Sequence, residues 1–306
     1  MTPEWFSRAL VADRREVLVD VKDAPVHYVE WGTPGDPGLM LVHGGAAHAE
    51  WWAHIGPQFS AHYHVVAVDL SGHGDSGRRE RYSHDIWAEE IVAVARAAGF
   101  PGPPVVVGHS LGGLVTIQTA ATHGDDLAGA VILDSPVRRP DPESEEGRRG
   151  RAFREPGTYP SLEEALDHFH LVPPQPDPEP WVLDHVARHS LRETPHGWTW
   201  KFDPHLFTHT MVPMNEQLAS VRCRVALLRG EHSVVVPEDT ASYMYDLMGR
   251  VSPVVTIPEA HHHLLLDQPL SLVSALRTLL ADWEHSVPFP RGRQDVSHRN
   301  GSMHSG

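Results

Sequence analysis

The chain has 306 residues, of which 25 are Lys or Arg and 40 are Asp or Glu, so its formal net charge is −15. A surface this acidic repels nucleic-acid phosphates and anionic lipid headgroups, which argues against nucleic acid or a membrane as the partner. Hydrophobic residues make up 41% of the composition, which is enough for a substantial core, and the length predicts one large domain with an insertion.

The cysteine content and the N-terminal stretch indicate the cell compartment in which the protein is expected. A single cysteine, Cys223, excludes a disulfide within the chain and a cysteine-rich zinc site. The first residues, MTPEWFSRALVADRREV, lack the basic start and apolar core of a signal peptide. No apolar run approaches the ~18 residues that a membrane-spanning helix needs. These features predict a cytoplasmic protein.

Short apolar runs predict strands, and several of them lack the alternation of a strand with one face in water. They lie at 17–21, 26–31, 39–43, 64–70, 104–108, 129–134, 224–230 and 253–258. Helical spacing of apolar residues falls between them, at roughly 50–60, 84–99, 111–124, 238–249 and 269–284. This alternation predicts an α/β fold with a mostly parallel eight-stranded sheet and helices on both faces.

The alternation is interrupted between residues 136 and 220, where charged and proline-rich stretches replace the strand pattern. We predict that 136–220 is an inserted, mostly helical cap, so that 1–135 and 221–287 are the two parts of the core. Residues 288–306 are polar and patternless, which predicts a disordered tail.

The sequence Gly108-His109-Ser110-Leu111-Gly112 fits the pattern G-x-S-x-G between a predicted strand and a predicted helix. A serine on such a sharp turn has its hydroxyl lifted clear of the sheet, and the start of the helix favours negative charge. This context favours a nucleophile. The alternative is a serine that only caps the helix N-terminus.

Four stretches, in chain order, resemble the α/β-hydrolase superfamily over nearly the whole chain. LVHGGAAHAEWW resembles its oxyanion loop, and VVAVDLSGHGDSG resembles its D-x-x-G-x-G-x-S segment. GHSLGG resembles its nucleophile elbow, and IPEAHHHLLLDQP resembles the segment of its catalytic histidine. The resemblance implies a capped serine hydrolase, similar to esterases and lactonases, that needs no metal and no organic cofactor. It does not name a substrate.

The resemblance also indicates the general base among three adjacent histidines. Counting five residues back from Asp267 in the family's Asp-x-Pro segment reaches His262, and His261 and His263 are the alternatives. A metal site at these histidines is disfavoured, because adjacent side chains on an extended segment point in different directions.

The acid of the triad departs from the common pattern. Many superfamily members carry it after the seventh strand, where this chain has Ser233, which cannot supply the negative charge that steadies an imidazolium. Other branches carry the acid just after the sixth strand, and Asp134 stands there. We predict Asp134 as the acid and keep Glu231 as the alternative.

The remaining site residues concern the substrate. By resemblance, the backbone N–H groups of Gly45 and Leu111 form the oxyanion hole. Aromatic residues of the predicted cap either line an apolar substrate pocket or form the cap's own core; those we assign to substrate binding are Phe169, Trp181, Trp198 and Trp200.

These features together predict a hydrolase of a small, fairly apolar carboxylic ester or lactone, in which Ser110 forms an acyl-enzyme that water releases. Related serine enzymes instead hydrolyse a carbon–carbon bond in diketone-like compounds, and turnover of diketones but not of esters distinguishes that alternative. The missing acid at position 233 keeps open a non-catalytic ligand receptor, which would bind tightly without turnover.

Overall fold

The computed structural model describes residues 1–139, 157–176, 178–207 and 213–286. Its strands are β1 (Arg15–Val21), β2 (Ala24–Trp31), β3 (Gly38–Val42), β4 (His64–Val68), β5 (Val105–His109), β6 (Gly129–Leu133), β7 (Leu191–Thr194), β8 (Gly197–Trp200), β9 (Arg224–Gly230) and β10 (Val254–Ile257). Eight of them form one sheet in the order β1-β2-β4-β3-β5-β6-β9-β10. Only β2 runs antiparallel to its neighbours within this sheet. The predicted mostly parallel eight-stranded sheet is therefore confirmed.

Helices cover both faces of this sheet, as predicted. They are α1 (Glu4–Leu10), α2 (His84–Ala98), α3 (Leu111–His123), α4 (Leu162–Leu166), α5 (Pro180–His189), α6 (Asn215–Ala219), α7 (Glu238–Leu247), α8 (Leu264–Asp267) and α9 (Pro269–His285). Apolar side chains of α1, α8 and α9 form the core on one face, and those of α2, α3 and α7 form the core on the other. Within the described ranges, every helix falls short of the length and apolar character needed to span a bilayer.

The departures from the predicted elements are local. The predicted helical stretch 50–60 forms two 3₁₀ helices, Ala49–Trp52 and Gly56–Gln58, because Pro57 lacks the N–H that a continuous helix requires. Between residues 136 and 220, where we predicted no strand, β7 and β8 pair as an antiparallel hairpin beside the short helices α4 and α5. Strands of four residues are too short to leave a clear alternation in the sequence. The predicted tail, 288–306, lies outside the described residues.

The sheet also determines where chemistry can occur. Strands β5, β6 and β9 are parallel neighbours, so their carboxyl ends meet at one edge. In open α/β sheets this edge is where ligands bind. Ser110 follows β5 and Asp134 follows β6, so the order of the strands brings these two positions close together.

Candidate active site

Ser110 stands on a sharp turn between β5 and α3, with φ 52° and ψ −117°, and it is partly exposed. Such a backbone conformation costs a non-glycine residue about 1–3 kcal/mol. The neighbouring glycines allow it: a Cβ at Gly108 would lie 2.2 Å from the carbonyl oxygen of Gly112, and a Cβ at Gly112 would lie 2.4 Å from that of His43. Only glycine at both positions permits this close backbone packing beneath the serine.

The imidazole of His262 joins this serine to a carboxylate. Its Nδ1 donates to Oδ2 of Asp134 at 2.7 Å, and its Nε2 lies 3.1 Å from Oγ of Ser110. A carboxylate only accepts, so the proton of the neutral ring is on Nδ1 and Nε2 is free to accept from the serine hydroxyl. Both His262 and Asp134 are buried. The arrangement can move a proton from the serine to the imidazole.

Asp134 is fully buried, and its charge is matched by several donors. Oδ1 accepts from the backbone N–H of Gly230 at 3.0 Å, and Oδ2 accepts from the hydroxyl of Ser233 as well as from the histidine. Such donors stabilise an ionised carboxylate away from water. Glu231, the alternative acid, is exposed, and its carboxylate accepts instead from the backbone N–H of Glu259 at 3.0 Å.

Ser233 belongs to this site, although no sequence pattern predicted a role for it. Its Oγ accepts from the backbone N–H groups of Val235 and Val236 at 3.1 and 3.2 Å. With its lone pairs occupied in this way, its own proton points at Asp134. Position 233 is where the family resemblance led us to look for the acid. Here a serine at that position donates to the carboxylate of Asp134, which stands at the end of β6.

We expect Ser233→Ala to lower the free energy of unfolding by about 1–3 kcal/mol, because a buried carboxylate loses a donor and two N–H groups lose an acceptor. Urea unfolding followed by circular dichroism measures this loss. Ser233→Thr keeps the hydroxyl and is the matched control, with a midpoint near that of the wild type. Equal midpoints for Ser233→Ala and the wild type would contradict the bonding described here.

The other histidines near Ser110 have different partners. His261 directs Nδ1 to Asp267 at 3.2 Å, and His263 directs Nε2 to a backbone carbonyl at 3.3 Å. His109 donates Nε2–H to the backbone carbonyl of His262 at 2.9 Å, which helps hold the histidine loop. Burial lowers the pKa of His263 to about 3 and also lowers that of His109, so both rings are neutral. Of the three adjacent histidines, His262 is the one whose ring faces Ser110.

The loop after β3 passes directly beside Ser110. A Cβ at Gly44 would lie 3.3 Å from Cβ of Ser110. Gly45 follows in this loop, and Leu111 is the first residue of α3, where a backbone N–H has no acceptor within the helix. Leu111 is thus the neighbour of Ser110 in the chain, and Gly45 follows the loop residue that lies beside Ser110. Their role as oxyanion donors stays a prediction.

Two buried side chains hold this loop in place. His43 donates Nδ1–H to the carbonyl of Gly44 at 2.7 Å, and its Nε2 accepts from the N–H of Leu70 at 3.1 Å. Burial lowers the pKa of His43, which agrees with this neutral ring. Asp69 accepts from the backbone N–H of Ala49 at 2.6 Å at the other end of the loop. These residues support the backbone and do not face the serine hydroxyl.

The aromatic residues that we assigned to substrate binding fall into two groups. The ring of Trp181 packs against Phe6 with centroids 4.4 Å apart, so it contributes to the contact between α5 and α1. Phe169 and Trp200 have centroids 6.0 Å apart, and Trp198 lies two residues before Trp200 on β8. All four assignments to substrate binding stay predictions.

Comparison with known sequences defines the family. A sequence profile of the alpha/beta hydrolase family matches residues 39–276. The chain belongs to the alpha/beta hydrolase family. One relative of this hydrolase is the esterase Rv0045c of Mycobacterium tuberculosis, which is 27% identical over 268 residues, or 85% of this chain and 88% of the relative. Another is the (E)-2-((N-methylformamido)methylene)succinate hydrolase of Acinetobacter baylyi, which is 34% identical over 37% of this chain and 42% of the relative.

Solved structures resemble this alpha/beta hydrolase along most of its length. An E-2-(acetamidomethylene)succinate hydrolase has a TM-score of 0.77 at 21% identity, covering 88% of this chain and 100% of that one. The structure of esterase Rv0045c has a TM-score of 0.71 at 25% identity, covering 91% of this chain and 95% of that one. The common feature is the fold, which agrees with the sheet and helices described above.

Proposed function

We propose that the protein is a serine hydrolase that cleaves small, fairly apolar carboxylic esters or lactones. The observation that carries the proposal is the position of His262, whose ring is hydrogen-bonded to Ser110 on one side and to buried Asp134 on the other. A nucleophile next to a base that a third group orients is the arrangement of covalent acyl transfer. The similarity to a mycobacterial esterase supports ester bonds as the target.

The arrangement of Ser110, His262 and Asp134 supports a reaction in two stages, acylation and deacylation. Ser110 Oγ attacks the ester carbonyl while His262 Nε2 takes its proton, and Asp134 stabilises the imidazolium that forms. The N–H groups of Leu111 and Gly45 stabilise the negative oxygen of the tetrahedral intermediate. His262 then returns the proton to the departing alkoxide, which leaves as an alcohol. In the second stage His262 takes a proton from a water that attacks the acyl carbonyl. The bond between the acyl group and Ser110 Oγ then breaks, His262 returns the proton to Oγ, and the carboxylic acid leaves.

The site bears differently on the two alternatives. A non-catalytic receptor does not require a proton path from a partly exposed serine to a buried carboxylate, and the site has one. Hydrolysis of a carbon–carbon bond can use the same residues, so only the substrate distinguishes it from ester cleavage. Parallel assays with p-nitrophenyl esters, lactones and a vinylogous diketone separate these reactions.

A fluorophosphonate probe tests the nucleophile itself. We expect one covalent adduct, located on Ser110 by peptide mass spectrometry, because only an activated serine attacks the phosphorus centre at an appreciable rate. Ser110→Ala is the control and stays unlabelled. An adduct on another residue, or none on folded protein that hydrolyses esters, would contradict the proposed mechanism.

A further inference from the structure

A second group of ionisable side chains lies where helix α5 meets the 3₁₀ helix Ala49–Trp52. His185 and His189 are four residues apart on α5, and Glu50 comes from the 3₁₀ helix. One nitrogen or oxygen atom from each of the three lies within 4.8 Å of the others. Residues four apart share one face of a helix, so both imidazoles face the carboxylate. The group is distinct from the serine site, since it shares no residue with it.

The atoms that face each other are left without hydrogen bonds. Oε2 of Glu50 and Nε2 of His185 are buried atoms 3.4 Å apart, which is an ion-pair distance for a protonated imidazole, but neither makes a hydrogen bond of good geometry within the described residues. Buried polar atoms without such bonds are costly and call for an explanation. Tetrahedral zinc with bonds of about 2.0–2.2 Å places neighbouring ligand atoms ~3.3 Å apart. The observed separation therefore suits two ligands of one ion.

The surroundings orient these side chains as metal ligands are usually oriented. His189 donates Nδ1–H to the backbone carbonyl of His185 at 2.7 Å, which leaves Nε2 with a free lone pair. Arg14 holds the other carboxylate oxygen of Glu50, Oε1, at 2.7 Å and leaves Oε2 available. Metal-binding histidines typically donate their second N–H to a carbonyl or carboxylate in this way.

We propose that Glu50, His185 and His189 bind a divalent transition-metal ion, with Zn²⁺ the expected occupant. The ion joins α5 to the 3₁₀ helix Ala49–Trp52, which follows the loop of Gly45. Two imidazoles and one carboxylate are a donor set that suits zinc, with a water as the fourth ligand. Mg²⁺ is not expected to bind, because it prefers ligands that are all oxygen. The inference is independent of the proposed ester hydrolysis, since metal binding is itself the readout.

Three histidines at and beside the serine site, His109, His262 and His263, also have ring nitrogens within 4.8 Å of one another. Both nitrogens of His262 already bond within the serine site, so a metal there competes with those bonds. Any zinc that does bind there is unaffected by changes at His189. The experiment therefore compares the Zn²⁺ affinity of variants with that of the wild type and does not depend on the total amount of zinc bound.

Isothermal titration calorimetry of Zn²⁺ into the full, metal-free chain tests the proposal. We expect one binding event in the wild type that is lost, or weakened at least about tenfold, in His189→Gln and in Glu50→Gln. The matched control is His196→Gln, which changes an exposed histidine on the turn of the neighbouring hairpin and keeps the event. Thermal unfolding without metal checks that His189→Gln folds like the wild type, and added Zn²⁺ raises the Tm of the wild type and of His196→Gln but not that of His189→Gln.

Two results of the Zn²⁺ titration would overturn the inference. One is the same Zn²⁺ affinity and stoichiometry in His189→Gln and the wild type, which would place any bound zinc elsewhere. The other is no Zn²⁺ binding by the folded wild type, which would leave Glu50 and His185 as a plain ion pair. A Tm that Mg²⁺ raises as much as Zn²⁺ does would contradict the nitrogen-donor site.

Discussion

Replacing Ser110 with Ala is expected to lower kcat for ester hydrolysis by at least about 10⁴-fold, because the proposed acyl-enzyme forms on the hydroxyl that is removed. The fold is expected to persist, since alanine can keep the turn and the hydroxyl makes no bond other than the one to His262 among the described residues. Steady-state kinetics with a p-nitrophenyl ester measure the loss. Ser274→Ala, an exposed serine on α9, is the matched control and keeps full activity.

The same position offers a test of backbone strain. Ser110→Gly removes the hydroxyl and also relieves the conformation at φ 52°. We expect this variant to be as inactive as Ser110→Ala but more stable, by a part of the about 1–3 kcal/mol that such strain costs. The midpoints of urea unfolding compare the two. Activity of either variant within tenfold of the wild type would show that Ser110 is not the nucleophile.

Asp134→Asn is expected to lower kcat by about 10⁴-fold while the protein stays folded. Asparagine tolerates the positive φ of 47° at this position as well as aspartate does. Its amide, however, donates to Nδ1 of His262, so the ring proton moves to Nε2. The imidazole then points a proton at Ser110 and cannot accept the one that the hydroxyl must lose.

The control for this variant is Glu231→Gln, which changes the exposed carboxylate that was the alternative acid and leaves kcat within about twofold of the wild type. A 10²-fold or larger loss in Glu231→Gln, with Asp134→Asn active, would reverse the assignment.

The double variant Asp134→Asn/Ser233→Asp tests whether a carboxylate at position 233 can replace the one at position 134. The hydroxyl of Ser233 reaches the same carboxylate oxygen as His262, so an aspartate there is expected to restore part of the lost activity.

Much of the fold was predictable because its signals are local. Strands buried on both faces, such as β3, β4 and β6, leave unbroken apolar runs in the sequence. All eight strands of the sheet overlap the short apolar runs that predicted them, although β1 and β10 are partly exposed. The exceptions were short elements. The hairpin of β7 and β8 and the helix α1 contain too few residues to establish a period. Pro57 interrupts a helical pattern that spacing alone would continue.

Ser110 could be singled out from the sequence by itself, because a strand, a glycine-flanked serine and a helix are adjacent in the chain. Which carboxylate meets the histidine was a different kind of question. Asp134 follows β6 and His262 follows β10, 128 positions later, and they meet because β9 alone separates these two strands in the sheet. The role of Ser233 also depends on that contact, since a serine in a loop carries no sign of the carboxylate that it holds.

Three features follow from the sequence alone: the type of fold, the likeness to alpha/beta hydrolases and the position of the candidate nucleophile. Each of them depends on residues that are neighbours in the chain. Only the tertiary structure decided the partners of the buried charges. It placed Asp134 between His262 and Ser233, and it brought Glu50 to two histidines of α5 from 135 positions earlier in the chain. Packing and sheet order create such contacts, and no local pattern records them.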